Sequence, residues 1–161
     1  MKSLVSSILV LILIGSAFAT PATHASDKLA PEVLAGLASA RQATARFHRV
    51  DQAEAEGYIT LNFCEEGEGC HWLNPSLLDG EFDPSKPEIL LYLPDGDGWR
   101  LVGVEYVVPL TLSPGVAPQG FPGDADTWRE DSEGVGLWEL TAWIWLNNPN
   151  GMFEQHNPRA E

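Results

Sequence analysis

EILLYLPDGDGWRLVGVEYVVP, residues 88–109, contains two apolar runs rich in Leu, Val and Tyr, separated by two Asp-Gly pairs. The pattern predicts two antiparallel strands, about 88–93 and 99–108, joined by a tight turn. Asp95 and Asp97 match the first ligands of a calcium loop. The glycine and distal glutamate of that loop are missing, so the turn reading is preferred. Glu105 interrupts the second run, and alternation places it on one strand face with Leu101, Gly103 and Val107. A carboxylate buried there has to be paired, hydrogen-bonded or protonated. It is therefore a structural anchor for one of the helix arginines or a functional acid, unless an edge position leaves it exposed.

Outward from this hairpin, Tyr58–Cys64 is a further predicted strand, and LWELTAWIWL, 137–146, reads as the last one. Alternation in the latter sends Trp138, Leu140, Ala142, Ile144 and Leu146 to a core face, and Leu137, Glu139, Thr141, Trp143 and Trp145 to the other. Residues 110–136 are rich in Pro, Gly and acids without a period. They predict a long acidic surface loop, lid or spacer, dispensable for folding because it offers little apolar area. Before the strands, 31–47 place Val33, Leu37, Ala40, Thr44 and Phe47 on one helical stripe, with Pro31 suited to the first turn. A second short helix is expected at 51–57, with Asp51 and Glu54 at capping-box spacing and Gly57 after its end. The expected class is α+β, with an N-terminal helix or helix pair packed on an antiparallel sheet of four to five strands. A β-sandwich is the alternative.

The first residues combine one lysine, an apolar run from Leu4 to Ile14 and small residues after it. This predicts a signal peptide over 1–25, cut after Ala19 or Ala25, because a membrane anchor needs roughly 20 apolar residues. Residues 26–161 then have the size of a single domain, secreted or periplasmic. The chain has 23 acidic and 9 basic residues and a formal net charge of -14, which argues against nucleic acid or an anionic membrane as partner. Arg41, Arg46 and Arg49 cluster before Asp51, as on a basic helix lying on an acidic body.

Cys64 and Cys70 flank an acidic, glycine-containing spacer, and His71 follows directly. An exported chain with two cysteines predicts their pairing. Zinc would need two more Cys or His ligands, and a Cys-x-x-Cys redox motif a shorter gap. His71 is either an ordinary hydrogen-bonded histidine or a ligand.

Taken in order, ATARFHRVDQAEAEGY (43–58), GCHWLNPSLLDGEFDP (69–84), LVGVEYVVP (101–109) and WIWLNNPNGMF (143–153) resemble a family of small secreted bacterial proteins without an established activity. The family pattern has His-x-Trp-x-Trp where this chain has Thr141, Trp143 and Trp145, whereas His71 matches. The resemblance implies a pocket formed by His71, Glu105, Trp143 and Trp145. Together these readings predict an exported small-ligand or metal-binding module, with His71 and Glu105 as the ligands of any divalent metal. The alternatives are a small hydrolase using Glu105 and His71 as acid and base, and a structural or protein-contact domain with no small-molecule site. Convergence of His71 and Glu105 within about 4–6 Å in a concave site separates the first two from the third.

Overall fold

The computed structural model describes residues 29–131 and 134–161. The leader predicted over 1–25 lies outside the described residues. Helix α1 (Pro31–Thr44) runs into a short 3₁₀ turn (Ala45–His48) and helix α2 (Val50–Ala55). Strands β1 (Ile59–Glu65), β2 (Gly69–Leu73), β3 (Ile89–Asp95), β4 (Gly98–Pro109), β5 (Arg129–Glu130) and β6 (Leu137–Ala142) follow. They form one antiparallel sheet in the order β1-β2-β3-β4-β6-β5. The class is α+β, as expected, but the sheet has six strands rather than four or five. Among the described residues no helix is long and apolar enough to cross a membrane.

The stripe read from α1 is the one that is buried: Val33, Leu37, Ala40, Thr44 and Phe47 face the sheet. They meet Leu90, Tyr92, Val104, Tyr106 and Leu140 in the larger core cluster. Tyr92 fastens the two layers, its hydroxyl donating to the Phe47 carbonyl at 2.6 Å. The capping box does not form. Arg49 precedes α2 without a side-chain cap, and the Asp51 carboxylate turns back to the Arg49 guanidinium at 2.6 Å.

Two irregularities set the faces of the sheet. On β1, Thr60 stands opposite Trp72 and Cys64 opposite Cys70, so Leu61, Asn62 and Phe63 all face the single residue His71. Asn62 absorbs the bulge with φ of 53°, a left-handed value asparagine tolerates better than most residues. On β4, Gly103 pairs with Leu91 but Leu101 with Tyr92, leaving Val102 as an extra residue. The bulge turns Leu101 to the helix side and Val102 to the opposite core cluster. The expected grouping of Leu101 with Glu105 therefore fails, since strict alternation cannot cross a bulge. The carbonyl of Val102 is freed to accept from the amides of Trp145 and Leu146.

Cys64 and Cys70 form a disulfide between directly opposed positions of β1 and β2. In the chain-entropy picture so small a loop contributes roughly 2 kcal/mol. Reduction should lower the unfolding free energy by about that amount and raise amide exchange along β1, an edge strand held on one side only. Melts and exchange that are identical with and without reductant would show that the bond contributes nothing to the edge.

Residues 110–136, expected as a long surface loop, are largely exposed where described, but they are also tied into the core. Phe121, at 2% exposure, is buried in the larger core cluster, and Arg129–Glu130 extend the sheet as β5. The segment is anchored at several points, with Phe121 N donating to Asp126 and the Trp138 indole to the Ser113 carbonyl.

Candidate functional site

The face of the sheet away from the helices is only partly covered. Directly opposed residues on neighbouring strands share a face, so His71 with Leu91 and Gly103, and Ile89 with Glu105 and Thr141, all point to this side. Here His71 on β2 and Glu105 on β4 reach over β3, bringing His71 Nε2 to 3.6 Å from Glu105 Oε2. The two residues converge in a cavity of about 240 Å³. Leu61 and Phe63, thrown outward by the β1 bulge, form one wall, and Val135 and Leu137 another.

Both central residues are buried, His71 at 6% exposure and Glu105 at 4%. Glu105 Oε1 accepts from the Thr141 hydroxyl at 3.1 Å. Oε2 lies just outside hydrogen-bond reach of the imidazole. Burial pushes the Glu105 carboxyl up to about 7, opposed by the Thr141 hydroxyl and assisted by the charge of Glu65. Burial also pulls the His71 imidazole down, against the Phe63 backbone and Glu65, which favour the protonated ring. His71 Nδ1 makes no hydrogen bond of good geometry, although the Phe63 backbone lies close. At neutral pH burial therefore favours a neutral imidazole beside a carboxyl that readily holds a proton.

Beside Ile89 and Gln155, the rest of the lining is acidic. Glu65, Glu68, Asp131 and Glu139 surround the pair, and no lysine or arginine is among the lining residues. Burial pushes Glu68 up to about 7, helped by the neighbouring Glu65 and the charge of Glu105 and opposed by Gln155. Asp131 serves the rim structurally. Its carboxylate accepts from the amides of Val135, Gly136 and Leu137, which hold it below the usual carboxylate range.

The two tryptophans expected at the pocket do not line it. Strand β6 ends at Ala142, where alternation stops. Trp143 remains on the cavity side of the sheet but is sealed in the smaller core cluster, with its ring against Gly103 and its indole N–H on the Glu154 carbonyl. Trp145 crosses to the helix side, donating to Thr44 Oγ1 and meeting the His48 ring edge-on. The anchoring role suggested for a helix arginine also fails. Arg41 donates to the Ile144 carbonyl, and Arg46 and Arg49 pair with Glu56 and Asp51.

Leu61, Phe63, Glu65 and Glu68 escaped the sequence reading. Their signal was the alternation of Ile59, Leu61 and Phe63, large apolar residues that stay exposed. For a metal, His71 and Glu105 converge. Among the described residues no group of three or more His, Cys, Asp or Glu side chains is arranged to hold an ion. Thr141, where the resembling family has histidine, instead hydrogen-bonds Glu105. No protein-family model, curated protein or solved structure matches the chain.

Proposed function

We propose that the protein is an exported binding module whose ligand occupies the His71–Glu105 cavity. The observation that carries this reading is the convergence of two buried titratable side chains at 3.6 Å inside a concave, largely apolar-walled site. Purely structural polar pairs are usually closed over by packing, whereas this one borders open space. Export is supported by the leader pattern and by the disulfide. Fragment screening by two-dimensional NMR tests the reading. Hits should shift the amides of Leu61, Phe63, His71, Glu105 and Leu137 together, and His71→Ala should abolish those shifts. Hits that map only elsewhere, or a screen with none, would overturn it. Zinc added to the same samples asks whether the pair takes a metal instead, which would shift His71 without the apolar walls.

A second reading is favoured by the protonation of the pair. A carboxyl near 7 beside a neutral imidazole can give and take a proton at neutral pH, as hydrolysis through an activated water requires. Ester or amide fragments consumed during the screen, and left intact by Glu105→Gln, would move the assignment to a hydrolase.

A further inference from the structure

The lining of the cavity narrows the chemistry of its ligand. Among the described residues five carboxyl side chains border it, and the only other titratable side chain in the lining is His71, whose imidazole burial pulls toward the neutral form. An anion would meet repulsion from every side and no basic group. A bare divalent metal would find only two converging ligands. Part of the lining is apolar, formed by Leu61, Phe63, Ile89 and Leu137. Among the carboxylates, Glu105 differs from a solvated acidic surface. It is 4% exposed, its Oε1 is held by the Thr141 hydroxyl, and its Oε2 stands 3.6 Å from His71 Nε2, beyond hydrogen-bond distance. A donor from the ligand would complete it.

We propose that the cavity binds a small organic cation, a protonated amine carrying an apolar arm. Its ammonium meets Glu105 Oε2 and the nearby Glu65 and Glu68, and its arm lies along Leu61, Phe63 and Leu137. This rests on the ligand-binding reading given above and names the ligand class. A volume of about 240 Å³ suits a molecule with on the order of ten non-hydrogen atoms. Phe63 is 39% exposed, lines the cavity and lies 5.4 Å, centroid to centroid, from the His71 ring, which gives an ammonium an aromatic wall to contact. Burial is the main cause of the raised proton affinities of Glu105 and Glu68, and an ammonium bound beside them would offset it.

The test uses three probes of similar size and different charge: 2-phenylethylamine, 2-phenylethanol and 3-phenylpropionate, titrated at neutral pH by NMR. The amine should bind about tenfold or more tightly than the alcohol, and the carboxylate should not bind. Glu105→Gln should weaken the amine by roughly tenfold while leaving the alcohol unchanged. Glu65→Gln, at the less buried rim, should weaken it a few-fold and keeps the test valid if the Glu105 variant fails to fold. Alcohol or carboxylate binding with an affinity equal to the amine's at the same residues would overturn the cation and leave the binding site standing. Amine affinity indifferent to both variants would also overturn it. If none of the three binds, the cation proposal falls, and the fragment screen independently decides whether the cavity is a site at all.

Discussion

Phe121→Ala should destabilise the protein by about 4 kcal/mol, on the order of half the stability of a typical domain. The ring lies in a segment whose composition reads as loop, yet it is wedged between helix and sheet. Its centroid is 4.9 Å from Phe82, 5.1 Å from Phe153 and 5.8 Å from Tyr106. Helix α1 is shaped to receive it. A Cβ on Gly36 would sit 2.8 Å from Phe121 Cδ1, so the glycine is what allows the ring its seat. Replacing 110–136 by a Gly-Ser bridge would remove Phe121, the partly buried Trp128 and the Asp126 carboxylate that holds the Phe121 amide. Cooperative unfolding should be lost altogether. Val116→Ser, at a side chain 68% exposed in the same segment, should change stability by less than about 0.5 kcal/mol. Urea titrations of the three variants decide the matter, and a Phe121→Ala protein as stable as the parent would show that the segment does not pack as described.

The parts of the fold legible in the sequence are those governed by a regular period. The α1 stripe and the β3–β4 hairpin follow from spacing alone, because each buries one continuous face over several turns or pleats. Legibility ends where a few residues depart from the period. Strand β2 is five residues long, begins at a glycine with φ of 88° and is too short to carry a readable period. Its pairing with β3 rests on long-range contacts that a local pattern does not encode. Phe121 is a single aromatic in a run of Gly, Pro and acids. One buried ring leaves no periodic trace, and only the glycine across from it in α1 hints at the contact.

The same reasoning divides the candidate site. Glu105 is legible because a titratable group in an apolar strand demands explanation, and His71 because it follows the second cysteine and matches the pattern of the resembling family. Their convergence depends on strand order, with β3 between them. Trp143 and Trp145 were assigned to one face by carrying alternation past Ala142. The backbone instead leaves the ladder there, as the Trp145 and Leu146 amides turn to the Val102 carbonyl. The β1 wall was hidden for the complementary reason. The Asn62 bulge places Leu61 and Phe63 around His71, and a bulge is a tertiary choice that alternating hydrophobicity does not reveal.

The protein should be most stable in mild acid and should lose stability as the pH rises from about 5 to about 9. Two buried carboxyls drive this. Glu105 is pushed up to about 7 and Glu88 up to about 8, both chiefly by burial, from an ordinary value of 4.5. Glu88 Oε2 accepts from the Val107 amide, which favours the charged form, but the charges of Asp79 and Asp83 oppose it, with Lys86 also lining their cleft. A carboxyl whose folded pKa lies above its unfolded one binds more protons when folded. Its contribution is complete below the unfolded value and is lost as pH climbs through 7 for Glu105 and 8 for Glu88. For Glu105 the loss is ~3 kcal/mol at most. Glu68, also drawn up to about 7 but only half-buried, adds less because solvent screens it. His71 acts oppositely. Its lowered pKa means that acidification below its ordinary 6.5 costs stability, but it is one group against the glutamates. The melting temperature should therefore fall by roughly 10 °C across the range. General repulsion in a chain of net charge -14 acts in the same direction, so the local contribution has to be isolated by substitution. Glu88→Gln and Glu105→Gln should each flatten the fall, most steeply around pH 8 and pH 7 respectively. A parent protein whose melting temperature holds or rises over this range would mean that both carboxyls are ionised in the fold and matched by partners, and slopes unchanged in the variants would trace the fall to overall charge alone.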